Sequence, residues 1–193
     1  MGYYYSSAST SVVSVTDTFD RADATPMSTA MSDGLGTWVS GPGATGDLNI
    51  LSNALRSSGT YRAAIVTSPT FAADHRAEIT LTFSVTVGVV LRMQSSSDSS
   101  GYLIYLPNST KLVVYKITDT GTIVFTQLGA DIAISAVTAG DTIGGEITSD
   151  TITVLRNGIS AGTRTDATYA TGQPGVYIGA SAATVESYAA TDI

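Results

Sequence analysis

The run from Glu78 to Arg92 carries Ile79, Leu81, Phe83, Val85 and Val87 at period two. Alternation of this kind puts all of these side chains on one face of an extended chain and suits no face of a helix. The run therefore predicts β-structure with one buried side. It is long enough to bend, or to turn near Ser84 and form two strands.

The rest of the chain follows the same rule. Strands are predicted over 12–18, 38–40, 48–51, 62–67, 102–106, 111–117, 122–128, 141–147, 151–156, 175–179 and 185–189. Turn residues separate them: the Gly41 to Gly46 cluster, the polar stretch from Gln94 to Gly101, Pro107 to Thr110, Thr118 to Gly121, and Asn157-Gly158. Asn-Gly favours a tight hairpin because both residues tolerate positive φ. Helix signals are nearly absent. Short strands in series, joined as hairpins, imply a sandwich or barrel. At 193 residues, a single domain is the default. The reading is an N-terminal arm, 1–11, followed by one domain, 12–193.

Composition narrows the partners. Charged residues make up 13% of the chain, against roughly 25% in soluble proteins generally. Ser and Thr take their place, a surface common outside cells and on virions. Net charge is −7 and the only lysines are Lys111 and Lys116. A phosphate backbone needs clustered Lys and Arg; none is visible, so a nucleic-acid partner is not expected. No stretch approaches the roughly 20 apolar residues that span a bilayer, so no membrane partner is expected. There is no cysteine, hence no disulfide and no thiolate metal site. The opening residues lack the basic start and apolar run of a secretory leader.

Three clusters near the N-terminus carry a family resemblance: Asp17, Phe19, Arg21 and Asp23; then Gly36 and Trp38; then Gly46-Asp47-Leu48-Asn49-Ile50 with Asn53 and Leu55. Their order resembles the opening of concanavalin A-like (laminin G-like) jelly-roll domains, many of them in phage and bacterial surface proteins. Leu48 replaces the aromatic residue usual at that position. The middle (Gly88 to Arg92, Gly101 to Tyr105, Lys111 to Lys116) and the end (Thr151 to Gly158, Asp166, Gly172 to Gly179) are similar to the family's central hairpins and closing strands. The resemblance implies an all-β, antiparallel two-sheet jelly-roll sandwich with one concave sheet and ligand-bearing rim loops. Here it would carry an extended N-terminal arm.

Candidate chemistry is sparse. Hydrolases of this fold place Glu-x-Asp-x-x-Glu on one strand, which supplies paired carboxylates. Glu78 and Glu146 have no such neighbours, Glu186 lies in the final strand, and the single histidine, His75, has no lyase motif or nucleophile elbow around it. No catalytic residues are assigned, and a chain without enzymatic activity is expected. Cofactors are not expected, calcium excepted: Asp17, Asp20 and Asp192 are weak candidate ligands near strand ends, and turn capping or pairing with Arg21 is the competing account. Glycan binding draws on aromatic faces and planar polar groups. Arg62, Arg92, Tyr102, Tyr105 and Tyr115 are the candidates, against half-buried tyrosines as the competing account. Tyr3, Tyr4 and Tyr5 form an aromatic cluster of the kind found at interfaces, a candidate assembly arm. The resulting expectation is a structural or decoration protein on a phage virion surface, in capsid or tail. It would be multicopy or homo-oligomeric, held to other virion proteins by the arm and touching cell-surface glycans weakly. The alternative is a carbohydrate-binding module of a secreted bacterial protein, located outside the cell.

Overall fold

The computed structural model describes residues 12–27, 29–40, 48–59, 62–82 and 84–193. The expected arm, with Tyr3, Tyr4 and Tyr5, lies outside the described residues. Within them the chain forms β1 (Ser14–Asp17), β2 (Thr37–Ser40), β3 (Leu48–Ile50), β4 (Leu55–Ser57), β5 (Arg62–Ser68), β6 (His75–Leu81), β7 (Val87–Met93) and β8 (Gly101–Asn108). It continues through β9 (Lys111–Asp119), β10 (Ile123–Gln127), β11 (Ile132–Ala133), β12 (Thr142–Thr148), β13 (Thr151–Arg156), β14 (Ile159–Thr165), β15 (Gln173–Ile178) and β16 (Thr184–Asp192). No described residue is helical.

The strands make two antiparallel sheets. One runs β14-β13-β12-β6-β16-β4-β3, with β1 also paired to β16. The other runs β10-β9-β8-β7-β15-β5-β2, with β11 also paired to β9. The long period-two run does split: β6 ends at Leu81 and β7 begins at Val87, one in each sheet. The Asn157-Gly158 pair takes φ values of 50° and 73°, the hairpin geometry its sequence demands. The short strands β4 and β11, and β14 after that turn, lie outside the strands the sequence predicts.

Alternation explains the core. On β6, Ala77, Ile79 and Leu81 point inward, and Arg76 and Glu78 point outward. On the facing sheet Val87, Val89, Leu91, Ile104, Leu106, Val114, Val176 and Ile178 meet them, all buried. Burying each such side chain contributes on the order of 1.5–3 kcal/mol. The Trp38 ring joins this core. It packs edge-on against Tyr188 with centroids 4.8 Å apart, and its Nε1 donates to Asp17 Oδ2 at 2.8 Å.

A second apolar cluster sits on the outer face of the β10-to-β2 sheet. It consists of Ile65, Val90, Met93, Leu103, Ile117 and Tyr177, with Ala63, Tyr105, Tyr115 and Ile123 packed against it. A sheet with both faces apolar departs from the usual one-side-wet pattern of antiparallel sheets, and an apolar outer face is a candidate contact surface.

Candidate functional site

The register lays the outer face out in rows. Ala63, Tyr177, Gly88, Tyr105 and Val113 lie side by side across β5, β15, β7, β8 and β9. The next row is Ile65, Gly175, Val90, Leu103, Tyr115 and Gln127. Gly88 stands between two tyrosines. Since it offers no side chain, the rings of Tyr105 and Tyr177 close over it, edge to face, with centroids 5.7 Å apart and planes at 89°. Tyr105 also approaches Tyr115 at 6.4 Å, and Tyr115 meets Phe125 of β10 at 5.9 Å and 82°. Edge-to-face pairs of this kind each add about 0.5–1.5 kcal/mol beyond simple burial.

These rings line a cleft of about 390 Å³ together with Leu103. Its lining, Leu103, Tyr105, Tyr115, Phe125 and Tyr177, contains no Lys, Arg, Asp or Glu. Phe125 is 40% exposed at the mouth. Tyr105 and Tyr115 are half-buried, and Tyr177 forms the floor.

The structure thus brings together two of the sequence-derived glycan candidates, Tyr105 and Tyr115, and places the other three elsewhere. Arg62 is buried on the inward phase of β5, in step with Ala64 and Val66. Tyr102 is inward on β8 and fully buried; its hydroxyl donates to Asp166 Oδ1 at 2.8 Å and accepts from the Tyr169 amide at 3.0 Å. Burial above all pushes its pKa up to about 12, so it stays protonated. Arg92 is 2% exposed. It donates to the Ala73 and Tyr169 carbonyls and pairs with Asp74 at 3.1 Å. These bonds fasten the end of β7 to the segment leading into β6, and hence one sheet to the other.

Leu103, Phe125 and Tyr177 are the cleft residues that the sequence did not single out. All three lie on predicted strands. Their membership depends on which strands adjoin, and β15 enters between β5 and β7 from far along the chain.

The calcium candidates do not converge. Asp17 is fully buried, and both its oxygens accept from Arg21; Oδ1 also takes the Phe19 amide and Oδ2 the Trp38 indole. Asp192 lies at the far end of the β1–β16 pairing, its amide on Val13 and its Oδ1 on the Ala72 amide. Asp20 is exposed. Among the described residues no group of three or more His, Asp or Glu side chains could hold a metal ion. An oxygen cage of the sort calcium takes is not what these aspartates form.

The other sheet's outer face is polar. Glu78 sits opposite Gly144 and Glu146 opposite Arg76, which donates to Glu78 Oε2 at 2.8 Å.

Two stacked antiparallel sheets with these connections make the chain a concanavalin A-like jelly-roll β-sandwich. No family model matches the sequence, and no curated protein does. Solved structures do. The carbohydrate-binding module CBM66 from Bacillus subtilis superposes with a TM-score of 0.55 at 13% identity, over 80% of this chain and 91% of that one. The exoplasmic/lumenal domain of VIP36, in its Ca2+/Man3GlcNAc-bound form, gives 0.54 at 14%, over 84% and 85%. An inactivated mutant of β-agarase B in complex with agaro-octaose gives 0.55 at 9%, over 92% and 91%. The last corrects an expectation. Absence of family motifs argues against enzymatic activity, yet an enzyme, β-agarase B, shares this architecture, so the fold is one that can carry catalysis.

Proposed function

We propose that this chain is a carbohydrate-binding jelly-roll domain whose outer aromatic face, centred on Tyr115 and Phe125, holds a neutral glycan. The observation that carries the reading is the cleft itself: aromatic walls, hydroxyl-bearing rings and no charged lining residue. Pyranose rings present apolar C–H faces that pack on aromatic rings, while tyrosine hydroxyls serve as hydrogen-bond partners at the edges. The fold's neighbours include a module named for carbohydrate binding and a domain bound to Man3GlcNAc, which supports the same direction. An extracellular setting goes with this reading. The virion-decoration reading places its protein partners on the arm, residues 1–11, and no observation among the described residues favours it.

The test is a panel of neutral and acidic polysaccharides presented to the full chain by affinity electrophoresis and calorimetry. At least one neutral glycan is expected to bind. Tyr115→Ala and Phe125→Ala are each expected to weaken it by about tenfold, the scale of truncating an aromatic anchor. Binding that is indifferent to both changes, in variants with unaltered circular dichroism, would overturn the assignment.

A further inference from the structure

The aromatic face ends at β10, which among the described residues is an edge strand. Among the described residues no strand pairs with its far side. Val124 is 50% exposed on one face and Phe125 40% exposed on the other. Natural edge strands are normally guarded by charge, proline, a bulge or a covering loop. This one reads Ile123, Val124, Phe125, Thr126, Gln127, with no charge and no proline, and it pairs with β9 in unbroken register.

The direction of its free backbone groups follows from one hydrogen bond. The Leu128 amide donates to the Val114 carbonyl at 2.8 Å. Antiparallel pairing alternates residues that bond to a given neighbour with residues that bond away from it. Val124 and Thr126 therefore face β9, and Ile123, Phe125 and Gln127 aim their N–H and C=O groups outward.

We propose that two copies of this chain join by antiparallel pairing of β10 with β10, with Phe125 on the two-fold axis. The strand is complementary to itself in that register. Phe125 exchanges both hydrogen bonds with its counterpart and Ile123 exchanges with Gln127, giving about six bonds in all. Val124 falls opposite Thr126, so no pair sets like charges against each other, in a chain whose net charge of −7 otherwise repels a second copy. The occupant is a second copy because a strand symmetric in this way closes as a two-fold dimer, the commonest assembly of soluble chains. The Tyr115–Phe125 contact would then continue through the counterpart Phe125 to its Tyr115, joining the two clefts in one groove. The pairing does not depend on what the cleft binds.

Sedimentation velocity of the full chain over a dilution series tests it without any glycan. A monomer–dimer equilibrium is expected, weak because a single strand pair is a small interface. Val124→Lys points away from the cleft and sets a charge beside the axis; it should weaken association at least tenfold while leaving the circular dichroism unchanged. Thr126→Lys serves the same purpose should the first variant fold poorly. Hydrogen exchange reads the geometry directly: the Ile123, Phe125 and Gln127 amides should gain protection with rising concentration, those of Val124 and Thr126 should not change. A chain that stays monomeric throughout, a dimer indifferent to both lysine variants, or a dimer whose three outward amides stay unprotected would each overturn the pairing.

Discussion

Two buried polar residues show how single side chains hold the sandwich. Asp17 is a buried carboxylate satisfied by Arg21, the Trp38 indole and the Phe19 amide. Asp17→Ala strands Trp38 and Arg21 without their acceptor. Losing one member of a buried ion pair costs about 3 kcal/mol or more, so the urea midpoint should drop by that equivalent. His75 is fully buried. Its Nδ1 lies 2.9 Å from the Ala72 carbonyl, which can only accept, so that nitrogen carries the proton and Nε2 accepts from the Arg92 amide. Burial first, then the Arg92 charge, hold the imidazole pKa below its ordinary 6.5; the Ala72 bond and the charges of Asp192 and Asp74 oppose this without reversing it. A base with a depressed folded pKa binds fewer protons folded than unfolded, so stability is complete above pH 6.5 and falls as pH drops below it. Urea titrations between pH 7.5 and 5 should show that decline, and His75→Gln should lessen it. A wild-type curve flat across that interval would contradict the buried neutral imidazole.

At the level of strands, glycine placement decides which rings meet. A Cβ on Gly88 would stand 2.2 Å from the Ile104 carbonyl oxygen and 3.0 Å from Leu103 Cδ1. The backbone of β8 cannot move away without breaking its own pairing. Gly88→Ala should therefore cost about 1–3 kcal/mol, the range for overpacking, and spread Tyr105 from Tyr177. Thermal unfolding and near-ultraviolet circular dichroism would register both effects, and an unaltered tyrosine signal would argue against glycine as the spacer. Much of this was legible beforehand. Period two marked the strands, Asn157-Gly158 marked a hairpin, and an odd spacing already puts Tyr102 and Tyr105 on opposite faces of β8, which grouping them as one site ignored. Arg92 escaped the rule because its φ of 49° interrupts strand alternation. The partnership of Tyr177 with Tyr105 was not legible, since parity within a strand says nothing about which distant strand lies beside it.

The whole molecule sets a neutral cleft in an acidic body. Net charge is −7, yet the cleft lining holds no Lys, Arg, Asp or Glu. Those two facts predict how binding responds to salt. Field effects from net charge steer charged ligands and weaken as ions screen them; a neutral sugar feels neither. Affinity for a neutral glycan should stay within about twofold between low and high salt, because contact area rather than Coulomb attraction supplies it. A polyuronate meets a body of its own sign and should bind weakly at low salt. Calorimetry with a neutral glucan and a polyuronate at both salt levels separates the cases. Tight polyuronate binding at low salt that vanishes at high salt would show that scattered cations such as Arg76 or Lys116, not the aromatic cleft, form the recognition surface. In that event the ligand would sit on a different face of the sandwich from Tyr115 and Phe125, and truncating those rings would leave it bound.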